Sequence, residues 1–359
     1  MDDQKCLNHR FENYCRFCVD ICPHDAVTYS GRIKVDETRC SGCGICAAGC
    51  PTRCLKIPEP DWETVLDKAI KKKTPCLGCQ KSLNPSTTIT VPCLGGLPEE
   101  LIAAIYLLSG SGFGLDLTGC FECVQKTALR QLQHSLFRAK KITGGKLNFK
   151  VKMPDRNTGK NNNLLDHENL ALLGRNVTEI SASLFGTMVP RELFNEKSAK
   201  KPPLPRELLL KVLPPNRNGS IYLTSYKVDQ TCHGCGFCQA VCPQKAWELV
   251  FKDNCAALSH YPLRCTGCGL CAAICQKGAK RKIVIAWSAG ADKPLGTRNF
   301  QASSCKECNK SMLDDENRTS LCPSCTNRRA LQESIKQWKT GNRVLTSAVF
   351  EAELPKKSE

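Results

Sequence analysis

The chain has 359 residues, 51 Lys and Arg against 34 Asp and Glu, and a formal charge of +17. That length allows two or three domains, and 27 cysteines with only 41% hydrophobic and 6% aromatic residues favour small metal-pinned units over one large core. The best apolar run, Leu101–Leu108, is far short of a membrane span, and Met1-Asp2-Asp3-Gln4-Lys5 shows no apolar leader, so the expectation is a cytoplasmic protein of a reducing, anaerobic cell rather than a secreted disulfide scaffold.

Residues 1–58 form a first cysteine-dense block. Cys40, Cys43, Cys46 and Cys50 follow C-x2-C-x2-C-x3-C, with Pro51 next. Cys15, Cys18 and Cys22-Pro23 repeat all but the first member, and Glu12 stands where a cysteine is expected. Thiolates at this spacing wrap an iron–sulfur cube. The block resembles bacterial-type two-cluster ferredoxins, in which the fourth cysteine of each motif ligates the other motif's cluster. The resemblance implies one cube held by Cys40, Cys43, Cys46 and Cys22. It implies a second on Cys15, Cys18 and Cys50 that needs a fourth ligand, for which Cys6, reaching in across a longer loop, is the candidate ahead of the harder carboxylate donor Glu12. Cys54, just beyond, reads as a packed thiol.

Residues 61–153 change pattern. Asp61 to Lys73 is an amphipathic helix with acidic residues early and lysines late. Cys76 and Cys79 follow at the end of a short strand. Thr87 to Val91 is a β-branched strand running into Pro92-Cys93-Leu94-Gly95-Gly96, and Pro98 to Leu108 is a helix. Leu115–Leu117 is a strand leading to Gly119-Cys120-Phe121-Glu122-Cys123. A helix from Val124 to Lys141 and a strand from Lys146 to Met153 complete a small parallel α/β domain. Ligands collect at the carboxyl ends of strands in such sheets, so five sulfurs should converge on one edge. The stretches Val91-Pro92-Cys93-Leu94-Gly95 and Gly119-Cys120-x2-Cys123 resemble the delta subunit of methyl-viologen-reducing hydrogenase, over roughly 74–140. That resemblance implies one further iron–sulfur cluster, of two or four irons, drawn from Cys76, Cys79, Cys93, Cys120 and Cys123, with Cys76 the one left out. Gly110-Ser111-Gly112-Phe113-Gly114 reads as a helix cap and turn, not a phosphate cradle.

Residues 154–218 read as a polar, proline-rich linker with a short helix at Arg206–Val212. Residues 219–286 repeat the ferredoxin unit. By the same resemblance, Cys232, Cys235, Cys238 and Cys275 hold one cube and Cys265, Cys268, Cys271 and Cys242 the other. Gln276 replaces the proline after Cys275, for which a different turn is expected. Cys255, between the motifs, reads as packed. Within 300–330, Cys305-x2-Cys308 and Cys322-x2-Cys325 form a knuckle pair close to zinc-ribbon spacing, with zinc the first reading and a rubredoxin-like iron the second. The tail 331–359 is basic and partly helical.

The fold class expected is thus an α+β / α/β multidomain chain: two ferredoxin-like dicluster domains flanking a small parallel α/β domain, plus the zinc-ribbon-like module. The cofactors are four 4Fe-4S clusters, a further cluster in the middle and one Zn. Each such site with four thiolates carries about −2, which lowers the formal charge to about +5 and removes most of the case for nucleic acid. Neither G-x-G-x-x-G after a strand nor a Walker loop is present, so no substrate or nucleotide site of its own is signalled. The function expected is an electron-transfer subunit of an anaerobic oxidoreductase complex of hydrogenase, heterodisulfide-reductase or dehydrogenase type, a hetero-oligomer partnered by oxidoreductase subunits and a soluble redox carrier. A free-standing polyferredoxin is the alternative, and a basic zinc protein binding nucleic acid a minor one.

Overall fold

The structure, a computed structural model, describes residues 1–10, 15–57, 61–82, 87–110, 112–120, 123, 125, 127–153, 201–213, 221–287, 294–314 and 320–339. Glu12, most of the expected linker and the tail beyond 339 lie outside the described residues. Two compact units are formed: Met1–Leu249 with Leu258–Arg298, and Val250–Ala257 with Asn299–Glu359. The three segments read as separate domains in the sequence, two ferredoxin-like and one α/β, therefore share the first unit. Among the described residues no helix is long and apolar enough to cross a membrane.

The first unit begins with α1 (Leu7–Arg10), α2 (Phe17–Asp20), the antiparallel pair β1 (Val27–Tyr29) and β2 (Ile33–Val35), and α3 (Ile45–Gly49). Helix α4 (Trp62–Ile70) is capped by Asp61, whose carboxylate accepts from the Glu63 N–H. It turns Trp62, Val65, Leu66 and Ala69 inward, as its apolar spacing requires. Then come β3 (Cys76–Cys79), β4 (Ile89–Val91), α5 (Glu99–Ser109), β5 (Phe113–Asp116), α6 (Thr127–Ile142) and β6 (Phe149–Lys152). The four strands pair in parallel in the order β4-β3-β5-β6. Counting strands along the chain, that is the flavodoxin-like order 2-1-3-4, whose ligand crevice lies beyond the strand ends where the connections diverge.

Helix α7 (Leu204–Lys211) lies against α5, and the second ferredoxin-like segment follows. It consists of β7 (Ile221–Val228), α8 (Phe237–Val241), the hairpin β8 (Trp247–Lys252) and β9 (Cys255–His260), α9 (Leu270–Ala273) and β10 (Lys280–Trp287). Strand β10 pairs antiparallel with β7 along its whole length. The main core joins the sheet and α4, α5 and α6 to Leu208 and Leu209 of α7 and to Ile221, Leu223 and Leu263. The second unit takes the hairpin tip, most of β11 (Leu295–Ser304), β12 (Ser311–Leu313) and α10 (Pro323–Lys339). Strand β11 pairs with β12, and the Ala302 N–H bonds the Asn254 carbonyl at 2.8 Å.

A buried charge network ties the first unit together. Glu99 and Glu100, the first residues of α5, are 4% and 3% exposed. Arg53 pairs with both, Arg138 of α6 reaches Glu99 at 3.3 Å, and Arg206 of α7 reaches Glu100 at 3.1 Å. Arg206 also donates to the carbonyls of Pro262 and Leu263. Burial alone would raise the Glu99 carboxyl, but the Arg138 and Arg53 guanidiniums outweigh it and hold it down to about 2.

Removing one partner of such a pair strands a buried charge, at a cost of about 3–5 kcal/mol, whereas an exposed pair is worth about 0–1 kcal/mol. Arg206→Met should therefore lower the unfolding midpoint of the anaerobic protein sharply, and Arg16→Met, whose partner Asp20 is exposed, should barely move it; thermal unfolding followed by circular dichroism compares the two.

Candidate metal centres

Three of the four ferredoxin motifs enter their helix through a glycine in the left-handed region: Gly44, Gly236 and Gly269, with φ of 74, 76 and 85°. A side chain would strain the loop there. The sharp turn sets Cys46, Cys238 and Cys271 in the first helical turn. In the incomplete motif Arg16 takes this place with φ −111°, so its loop enters α2 differently.

All four motifs leave by one turn. The third residue after the last cysteine is left-handed, at Asp25, Arg53, Lys245 and Gly278. Its N–H bonds the cysteine carbonyl, at 3.2 Å in the Arg53 and Lys245 turns and 2.8 Å in the Gly278 turn. The different turn expected from Gln276 is thus not found. The hydrogen bond uses the third residue's N–H and not the proline, and Gly278 takes up the positive φ without strain.

Cys6, Cys50 and Cys54 share one buried cluster, with Cys18 and Cys22 packed against it. Charge on Cys6 and Cys50 acts on both Cys15 and Cys18. The structure thus brings Cys6, Cys15, Cys18 and Cys50 together. Burial pushes the Cys15 thiol up and the Cys18 thiol up to about 12. Cys6 and Cys50 are instead lowered, to about 6 and about 5, above all because the Cys54 thiol hydrogen-bonds them. Cys54 Sγ lies 3.5 Å from Cys50 Sγ, so the thiol read as merely packed is a fifth sulfur of this group. The Cys50-x3-Cys54 spacing across the exit turn was the available sign.

Cys22, Cys40, Cys43 and Cys46 form the second group. Burial raises the Cys46 thiol to about 12, and charges on Cys43, Cys22 and Cys40 push the same way. The Ala26 N–H points at Cys22 Sγ at 3.3 Å.

In the middle segment Cys79 ends β3, Cys93 follows β4, and Cys120 and Cys123 follow β5, at the crevice the strand order marks. These four line one open cavity, with Cys43 of the first ferredoxin-type segment at its wall. Burial raises Cys93 to about 11 and Cys120 to about 12. Cys76 opens β3 rather than ending it, because Cys76–Cys79 is itself the strand. It is buried at the opposite end, with its Sγ against Gly114 of β5. Lys81 Nζ approaches Cys123 Sγ at 3.9 Å.

Cys242, Cys265, Cys268 and Cys271 make the fourth group. Burial raises Cys265 to about 12 and Cys268 to about 11, helped in each by the Cys242 charge, and raises Cys271 as well. Cys232, Cys235, Cys238 and Cys275 line another cavity. Beside it the buried ammonium of Lys280 lies 3.8 Å from Cys232 Sγ and over the Trp247 ring. In the second unit the sulfurs of Cys305, Cys308, Cys322 and Cys325 all lie within 4.8 Å of one another. One tetrahedral zinc with Zn–S near 2.3 Å sets its sulfurs about 3.8 Å apart, so the group fits a single ion. The Cys322 N–H and Arg328 both donate to sulfurs there. Cys255, read as packed, is exposed on the hairpin tip.

Residues 231–279 match the 4Fe-4S dicluster domain and residues 33–56 the 4Fe-4S binding domain. The chain carries two 4Fe-4S ferredoxin-type domains and binds iron–sulfur clusters. It is also similar to the archaeal-type glutamate synthases [NADPH] of Thermotoga maritima and Thermotoga sp. strain RQ2, 32% identical to each over 65 residues. The match covers 17% of this chain and 12% of each relative. No solved structure matches significantly. The two family matches leave the middle segment, residues 61–153, uncovered.

The geometry separates Cys76 from its neighbours. Cys76→Ala should leave the iron and acid-labile sulfide content of the anaerobic protein unchanged, and Cys120→Ala should lower both by about one cluster.

Proposed function

We propose that the chain is a multi-cluster electron-transfer subunit of an anaerobic oxidoreductase complex, relaying electrons between a partner subunit and a low-potential soluble carrier. The observation that carries this reading is the gathering of five groups of cysteine sulfurs, drawn from three segments, within one compact unit. In this reading the ligand sets are Cys6, Cys15, Cys18 and Cys50; Cys22, Cys40, Cys43 and Cys46; Cys79, Cys93, Cys120 and Cys123; Cys242, Cys265, Cys268 and Cys271; and Cys232, Cys235, Cys238 and Cys275. The cluster itself supplies reversible one-electron storage. The protein supplies position and field. Lys280 at Cys232 and Lys81 at Cys123 place positive charge beside two sites, and the Ala26 and Ala246 N–H groups donate to Cys22 and Cys242. Each favours the reduced, more negative state and so raises the potential.

A free-standing polyferredoxin explains the motifs but not the middle sheet, which carries four sulfurs of its own at its strand ends. The 65-residue match to proteins named as NADPH-linked synthases fits a relay module within a larger redox assembly. The Cys305 group holds zinc in a structural role, and the whole works in a reducing cytoplasm.

Metal analysis of anaerobically purified protein tests this directly. About sixteen to twenty iron with matching sulfide, and one zinc, are expected per chain; a few zinc with no sulfide would exclude electron transfer. Redox proteins that co-purify then distinguish a complex subunit from a lone carrier.

A further inference from the structure

The five sites are not scattered through the first unit. Each shares packed side chains with the next, and at two places the neighbours come from segments far apart in the chain. At the first, Cys93 lies in one buried cluster with Ile21, Ile45 and Ala128, against which Cys43 and Cys46 pack. The turn after Cys93 rests on α3, so closely that a Cβ added at Gly96 would run into the Cys43 carbonyl. Charge on Cys43 accordingly bears on the Cys93 thiol.

At the second, Leu7 of α1 packs with Val241, Leu270 and Ile274 of the second ferredoxin-like segment, and this cluster touches both Cys15 and Cys268. Beside it Gln244 donates to the Thr52 carbonyl at 2.5 Å. Gln244 and Thr52 each lie two residues beyond a motif's last cysteine, so the exit turns of the two ferredoxin-type segments face each other. Within each segment the paired sites adjoin: Cys18 and Cys22 pack against one buried cluster, and Cys271 and Ile274 line the cavity of the Cys232 site.

Resting on the reading above, we propose that these contacts make one continuous electron path in a fixed order: the Cys79 site, the Cys22 site, the Cys6 site, the Cys242 site and the Cys232 site. Gly96 and Leu7 are the positioning residues at its two inter-segment junctions. One electron enters an end site from a one-electron donor protein. Each step oxidises the site it leaves and reduces the next, no proton or covalent bond is exchanged, and one electron leaves to a one-electron acceptor protein at the other end. At one end site Cys235 is exposed and the other lines an open cavity, which leaves both within reach of such partners.

Dithionite-reduced, anaerobically reconstituted full-length protein tests the order by electron paramagnetic resonance, through the spin relaxation that each reduced cluster imposes on its neighbours. Iron and sulfide analysis comes first, and a protein without clusters overturns the functional reading itself. With clusters present, Cys120→Ser/Cys123→Ser should slow relaxation several-fold at the Cys22 site and leave the Cys232 site unaltered. Cys15→Ser/Cys18→Ser should do so at both the Cys22 and Cys242 sites. Gly96→Ala keeps every ligand cysteine and should weaken only the first junction, which covers the case in which a cysteine variant fails to assemble. Relaxation at the Cys22 site unchanged in the first variant and in Gly96→Ala, or at the Cys242 site unchanged in the second, overturns the path.

Discussion

Everything in the first unit hangs on two adjacent carboxylates. Glu99 and Glu100 stand at the start of α5, where the helix dipole already favours negative charge, and arginines from three different segments close on them. Arg53 comes from the exit turn of the Cys50 motif, so the first ferredoxin-type loop is anchored straight to the α/β sheet. Arg206 comes from α7 and continues to the Pro262 and Leu263 carbonyls, three and two residues before Cys265. The cysteine loops of the first unit, which have little apolar core of their own, are thereby held to its helices. The network supplies orientation, and burial makes it intolerant of losing a member.

Much of this was legible in the sequence, because cysteine spacing and loop glycine encode local geometry. The expected helices at Asp61–Lys73, Pro98–Leu108 and Val124–Lys141 correspond to α4, α5 and α6, within a few residues at each end. The sheet edge carrying Cys79, Cys93, Cys120 and Cys123 followed from strand–turn–helix order. What was not legible depends on contacts between segments. Cys54 looked spare because its role comes from its distance to Cys50 and Cys6. The turn after Cys275 looked altered because the eye falls on the missing proline, while the constraint sits two residues later at Gly278. Nothing in the spacing showed that Leu7 meets Ile274 or that Gln244 meets Thr52.

Charge gives these contacts a further meaning. Half-buried Cys46 and buried Cys238 and Cys265 are held up to about 12 by desolvation, so deprotonated sulfur is stabilised there when a cation joins it. Lys280 and Lys81 stand beside sites that become net negative once loaded. Binding at such thiols and folding of the loops that carry them are thermodynamically coupled.

The most direct measurement is anomalous diffraction at the iron and zinc edges from crystals of the protein grown without oxygen. The account predicts five separate iron centres strung in the order Cys79, Cys22, Cys6, Cys242 and Cys232 sites, and a zinc peak alone among Cys305, Cys308, Cys322 and Cys325. Iron missing from the Cys79 crevice, or a gap between the Cys6 and Cys242 sites wide enough to admit solvent, would contradict it.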